Sequence, residues 1–168
     1  MHLIHRGIVN KNYKENLLKS FKQSFKKGYG IETDIHATKD CEFICFHDFT
    51  LKRTFKKNLS IKNLNYSQIN AISSKYNKPI PLLKDLLKCS KNKYSLHIEI
   101  KPIFSKPLLK KHLKEKSKFT KSVFISFKHE NIYNLLKIKK STKVGLSFSP
   151  PTNIKKIIKK SNNKNINC

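Results

Sequence analysis

The stretch Gly30-Ile31-Glu32-Thr33-Asp34-Ile35-His36 sets titratable side chains at every second position of an otherwise apolar run. A period of two is the pleat of a strand, so Glu32, Asp34 and His36 share one face. A second strand, Tyr94–Lys101, alternates in the same way and puts His97, Glu99 and Lys101 on one face. Charged side chains pointing inward from a sheet are costly unless they are paired or hold a metal. These two segments point to an α/β sheet whose inner face carries chemistry.

Outward from them the chain alternates strand and helix. His2–His5 is a short strand ending at a turn glycine, Gly7, and residues 15–27 form a helix with Leu18, Phe21 and Phe25 on one face, closed by Gly28. Glu42–His47 is a strand, and Leu82–Cys89 a helix after Pro79-Ile80-Pro81. Pro107–Lys116 is helical, Ser122–Phe127 a strand, Asn131–Lys139 a helix, Val144–Phe148 a strand and Ile154–Lys160 a last helix. Such alternation predicts a mostly parallel sheet. The segment Ala37-Thr38-Lys39-Asp40-Cys41 is too short for a parallel crossover, which needs roughly a dozen residues. It reads as a tight turn, and a hairpin there brings Asp34 near His47.

Length and composition bound the rest. The 168 residues suit one domain, 1–160, with a polar tail over 161–168. No apolar run approaches the ~18 residues of a membrane span. The start, Met1–His5, has no charged-then-apolar leader, so a cytoplasmic location is expected. The formal charge is +27, but of 37 basic side chains only Arg6 and Arg53 are arginine. Base readout and bidentate phosphate grip favour arginine, and the lysines are scattered from end to end, so no specific nucleic-acid partner is expected. The four cysteines match no zinc pattern.

The acids are few and well placed. Of ten, Glu32, Asp34, Asp48 and Glu99 fall at or near strand ends. Three converging carboxylates must hold a cation or share protons, and all-oxygen ligands suit Mg²⁺ or Ca²⁺. His5 and His47 each end an apolar run and can exchange protons near neutral pH. With Arg6 and Lys101 beside them, the set contains what phosphodiester cleavage requires. Asp48 either orients His47 or caps the next turn. His36 could reach the pocket rim, and Asn16 either caps the first helix or supports the site. His97, one step below Glu99, reads as a hydrogen-bonded filler.

The chain resembles the glycerophosphodiester phosphodiesterases. The resemblance rests on His5-Arg6-Gly7, Glu15-Asn16, Glu32-Thr33-Asp34-Ile35-His36 with Thr38-Lys39-Asp40, and Phe46-His47-Asp48 with Thr50-Leu51 and Arg53-Thr54. Ile80-Pro81, Ile98-Glu99-Ile100-Lys101 and Ser126-Phe127 extend it over roughly the first 150 residues. It implies a TIM-type (β/α) barrel with its site at the C-terminal strand ends. It further implies a divalent metal, Mg²⁺ or Ca²⁺, on Glu32, Asp34 and Glu99, acid/base roles for His5 and His47, and phosphate contacts from Arg6 and Lys101. The implied reaction is attack by the substrate's own glycerol hydroxyl on phosphorus, then hydrolysis of the cyclic phosphate. The products are glycerol 3-phosphate and an alcohol such as choline or ethanolamine.

The reading counts about six of a barrel's eight strands, so an incomplete wall is expected. A second copy or a second chain completing it is one expectation; an inactive fragment or interaction module keeping the motifs without turnover is the alternative.

Overall fold

The computed structural model describes residues 2–113, 119–149 and 155. Its elements in chain order are β1 (Leu3–His5), α1 (Leu18–Lys26), β2 (Gly30–Ala37), β3 (Phe43–Cys45), α2 (Lys52–Phe55) and a short 3₁₀ turn (Ile61–Asn63). These are followed by α3 (Tyr66–Lys75), α4 (Leu83–Ser90), β4 (Leu96–Ile100), α5 (Lys106–Leu113), β5 (Ser122–Ser126), α6 (His129–Ile138) and β6 (Val144–Leu146). The sheet order is β1-β2-β4-β5-β6, with β3 attached to β2. The strands along that order pair in parallel, whereas β3 is antiparallel to β2. The six expected strands are thus present among the described residues. One of them is the return arm of a hairpin, so five form the parallel wall. The expected helix at 154–160, apart from Lys155, and the tail at 161–168 lie outside the described residues, as does the end of the 107–116 helix beyond Leu113.

Register follows the alternation. Glu32 pairs with His97 and Asp34 with Glu99 across β2 and β4, and His5 pairs with Glu32 across β1 and β2. Paired residues share a face, so these side chains all lie inside. Ile31, Ile35, Leu96, Ile98, Ile100 and Phe124 lie outside, where Phe21, Leu86, Leu109, Ile132 and Leu135 from the flanking helices cover them. Gly30 begins β2 because nothing larger fits: a Cβ there would sit 2.6 Å from the Ser95 carbonyl oxygen. Helix α1 ends in a Schellman motif, with Tyr29 N–H on Ser24 O at 3.0 Å and Gly28 N–H on Phe25 O at 2.9 Å. Gly28 takes a φ of +79° there.

Residues 52–75 hold two helices and a 3₁₀ turn that the sequence reading left without elements. They enclose a second core of Phe46, Leu51, Phe55, Ile61, Ile69, Ile80 and Leu82. Helix α2 is only four residues long and α3 is weakly amphipathic, so periodicity gave little signal. What holds them is packing around this shared cluster, which Ile44 of β3 joins and no local pattern records. Among the described residues no helix is long and apolar enough to cross a membrane.

Phe21 is fully buried between α1 and the sheet. Its replacement by alanine deletes most of a ring and leaves a cavity, so Phe21→Ala is expected to cost about 3–5 kcal/mol in urea unfolding.

Candidate active site

The chain leaves β1 in a kink. Arg6 and Gly7 take φ values of 57° and 75°, a conformation that costs a non-glycine residue on the order of 1–2 kcal/mol. Arg6 N–H donates to Glu32 O at 2.9 Å, and Arg6 O accepts from Asn16 N–H at 2.9 Å. This turn carries the guanidinium over the inner face. Arg6 Nε lies 3.2 Å from Asp34 Oδ2, buried but out of hydrogen-bonding alignment. Its Nη1 donates to Glu15 Oε2 at 3.1 Å.

Three inner-face carboxylates meet below it. Oxygens of Glu32, Asp34 and Glu99 lie within 4.8 Å of one another. Glu32 Oε2 is buried and accepts no hydrogen bond, and His5 Nε2 lies 3.7 Å from it. Burial, and after it the charges of Asp34 and Glu99, push the Glu32 carboxyl up to about 8. Lys101 Nζ sits 2.9 Å from Glu99 Oε1 and 3.5 Å from Asp34 Oδ1. An orphaned carboxylate oxygen among three converging hard ligands fits a divalent cation, and Glu32, Asp34 and Glu99 are the residues that would hold it.

The β2–β3 hairpin delivers the second histidine. Phe46 N–H donates to Asp34 O at 3.0 Å, so the backbone enters His47 one residue from Asp34, as the short turn implied. His47 Nδ1 is 2.7 Å from Asp48 Oδ1. A carboxylate can only accept, so the proton sits on Nδ1 and Nε2 is left to exchange protons. His36 Nε2 lies 3.1 Å from the His47 carbonyl oxygen, and burial pulls its imidazole down to about 4. It is therefore a neutral N–H donor anchoring the His47 backbone.

Of the two roles open to Asp48, the structure shows the hydrogen bond to His47. Asn16 does not cap α1, whose N-cap is Leu17. Instead its Nδ2 donates to Asp34 Oδ2 at 3.2 Å and its Oδ1 accepts from Thr33 Oγ1 at 2.9 Å. His97 was expected to be hydrogen-bonded. It is half-buried beside Glu32, burial lowers its pKa, and its ring makes no hydrogen bond among the described residues.

Two residues given no role in the sequence reading belong to the site. Arg53 Nε donates to Asp48 Oδ2 at 2.6 Å, and its Nη2 pairs with Glu15 Oε1. Burial raises the Glu15 carboxyl, but hydrogen bonds from Arg53 and Arg6 outweigh it and hold it below the usual range. At Asp48 burial is likewise outweighed by hydrogen bonds from Arg53 and His47. The available signal was compositional: the chain's only two arginines both touch Glu15.

The model of the glycerophosphoryl diester phosphodiesterase family matches residues 5–166. The chain belongs to this family. It is 28% identical over 161 residues to a glycerophosphodiester phosphodiesterase of Caldanaerobacter subterraneus subsp. tengcongensis, covering 87% of this chain and 65% of that relative. The chain thus spans a little under two thirds of that relative's length. A glycerophosphodiester phosphodiesterase structure from Thermotoga maritima superposes with a TM-score of 0.79 at 25% identity, over 98% of this chain and 70% of that one. A phosphodiesterase of Oleispira antarctica, solved in complex with the product sn-glycerol-3-phosphate, shares the fold with a TM-score of 0.77 at 17% identity, over 95% of this chain and 71% of that one. These family neighbours confirm the TIM-barrel class expected from the motifs.

Glu32 makes stability depend on pH. An acid whose folded pKa is raised contributes stability below its unfolded value and loses it as pH rises through the folded one, here from 4.5 to about 8. The depressed His36 contributes in the opposite sense, and fully above its ordinary value of 6.5. From about pH 7 to pH 9 the melting temperature of the metal-free chain is therefore expected to fall. Glu32→Gln should flatten that fall, and saturating Mg²⁺ or Ca²⁺ should raise the melting temperature most at the alkaline end. Calorimetry with and without chelator reads all three.

Proposed function

We propose that this chain hydrolyses glycerophosphodiesters to glycerol 3-phosphate and an alcohol, with Mg²⁺ or Ca²⁺ on Glu32, Asp34 and Glu99. The observation that carries the reading is the convergence of those three carboxylates with His5, Arg6 and Lys101 at one end of the sheet, where a backbone hydrogen bond from Phe46 to Asp34 anchors the hairpin that carries His47. The family match and the named activity of the Caldanaerobacter relative support it. So does the Oleispira phosphodiesterase, whose bound product is the one proposed here.

When bound, the cation supplies positive charge to a phosphate oxygen. The chain supplies the rest. Arg6 and Lys101 bring two further cations to the same point and stabilise the negative charge that builds up around phosphorus. His47, its Nδ1–H held by Asp48, presents Nε2 for proton transfer. His5, whose side chain is 70% exposed beside Glu32, serves as the other proton-transfer group from the end of β1. One histidine takes the proton of the attacking glycerol hydroxyl while the other protonates the leaving alcohol. Water then opens the cyclic ester with the two roles exchanged.

A cytoplasmic setting belongs to this reading.

The test is release of glycerol 3-phosphate from glycerophosphocholine and glycerophosphoethanolamine by purified chain. Mg²⁺ or Ca²⁺ should support release and chelator should abolish it. His5→Ala and His47→Ala should each lower kcat about 10²–10⁴-fold without unfolding the chain. A folded, metal-replete chain that releases nothing would overturn the proposal in favour of an inactive relic.

A further inference from the structure

The chain carries 37 basic side chains and draws almost all of them from lysine. The two exceptions, Arg6 and Arg53, converge on one carboxylate, Glu15, which comes from the loop between β1 and α1. Charges then alternate without a break. Asp34 meets Arg6, Arg6 meets Glu15, Glu15 meets Arg53, Arg53 meets Asp48, and Asp48 holds His47. The row runs from a carboxylate of the proposed metal site to the ring of the proposed acid/base, through residues 38 positions apart in sequence at the Glu15–Arg53 step.

Energy alone does not account for Arg53. Its side chain is 54% exposed, and ion pairs so open to water add little to stability. Geometry does account for it. One planar guanidinium grips Asp48 Oδ2 through Nε and Glu15 through Nη2 at the same time, which a lysine ammonium on a flexible stem does not reproduce. Asp48 uses its other oxygen, Oδ1, for His47 Nδ1. With both carboxylate oxygens engaged from different sides, Asp48 cannot turn about its side-chain bonds, and the His47 ring is fixed in orientation and tautomer. Without Arg53, Asp48 and Glu15 lose the cation between them, and Asp48 is held only by the ring it should be holding.

We propose that Arg53, braced by Glu15, is a positioning residue that sets the orientation and tautomer of His47 through Asp48. The inference rests on the reading of His47 as a proton-transfer group, and its test is built to separate the two.

The variants are Arg53→Met, Arg53→Lys and Glu15→Gln in the full chain. The first readout is steady-state hydrolysis of glycerophosphocholine. Arg53→Met should lower kcat about 10–100-fold, the usual effect of losing a supporting partner of a site ligand. KM should change less than about threefold, because the Arg53 guanidinium is engaged by Asp48 and Glu15. The melting temperature should move by no more than about 4 °C. Arg53→Lys should fail to restore kcat, and Glu15→Gln should lower it as well. A folded Arg53→Met chain with unchanged kcat overturns the proposal, and so does full activity in Arg53→Lys. If Arg53→Met does not fold, the other two variants decide by the same criteria.

The second readout needs no turnover. Nitrogen-15 NMR of the neutral His47 ring should show the Nδ1–H form in the unaltered chain and a mixture of tautomers in Arg53→Met. If the unaltered chain releases no glycerol 3-phosphate, the functional reading fails and this arm alone decides. A pure Nδ1–H form that survives in Arg53→Met overturns the positioning role, and so does its absence from the unaltered chain.

Discussion

A carboxylate with 1% of its surface exposed keeps its charge only if that charge is met from several sides, and Asp34 is the group on which this structure turns. Its two oxygens face Arg6 from the β1 kink, Asn16 from the following loop and Lys101 from the end of β4. Its backbone carbonyl accepts from Phe46 and so anchors the hairpin that carries His47. Three otherwise separate segments are brought to one point by a single side chain and its peptide group. The left-handed backbone at Arg6 and Asn16 is explained by the same demand, since both residues bend away from regular structure while facing Asp34.

The sheet divides its labour by parity. Ile31 and Ile35 of β2 and the even-numbered residues of β4 pack under the helices, with the buried Thr33 hydroxyl between them satisfied by Asn16. The alternate residues carry nearly all the chemistry. The outer face therefore holds the inner one in register, and a site rich in unfavourable charge proximity is sustained by packing on the opposite side of the same strands. The strain shows where it is expected, in the raised pKa of Glu32 and its unpartnered oxygen. A divalent cation relieves that strain in the proposed reaction.

The segment between β3 and α4 adds a second function to the scaffold. Its own small core, built around Phe46, Phe55 and Ile69, fixes a short helix whose only arginine reaches back to the β1 loop. This links Asp34 of the proposed metal site to His47 through charge rather than through the sheet. The many lysines take almost no part: among the described residues Lys101 alone joins the inner cluster, while Lys84, for example, pairs with Glu42 half-exposed at the surface. Net charge of +27 thus describes the surface field, and arginine placement describes the site.

The sequence by itself determined which side chains face inward. Strand periodicity is local, so Glu32, Asp34 and His36, and separately Glu99 and Lys101, could be assigned to shared faces from spacing alone. The turn at 37–41 was legible for the same reason, because too few residues were available for a crossover. The motifs also carried the family and hence the barrel class. Only the tertiary structure decided that β2 and β4 are direct neighbours in a register that sets Asp34 against Glu99. It also decided the role of Asn16, the neutral anchoring role of His36, and the ion row through Glu15 and Arg53. Those depend on contacts between residues far apart in the chain, where geometry is set by packing of whole elements and leaves no periodic trace in the sequence.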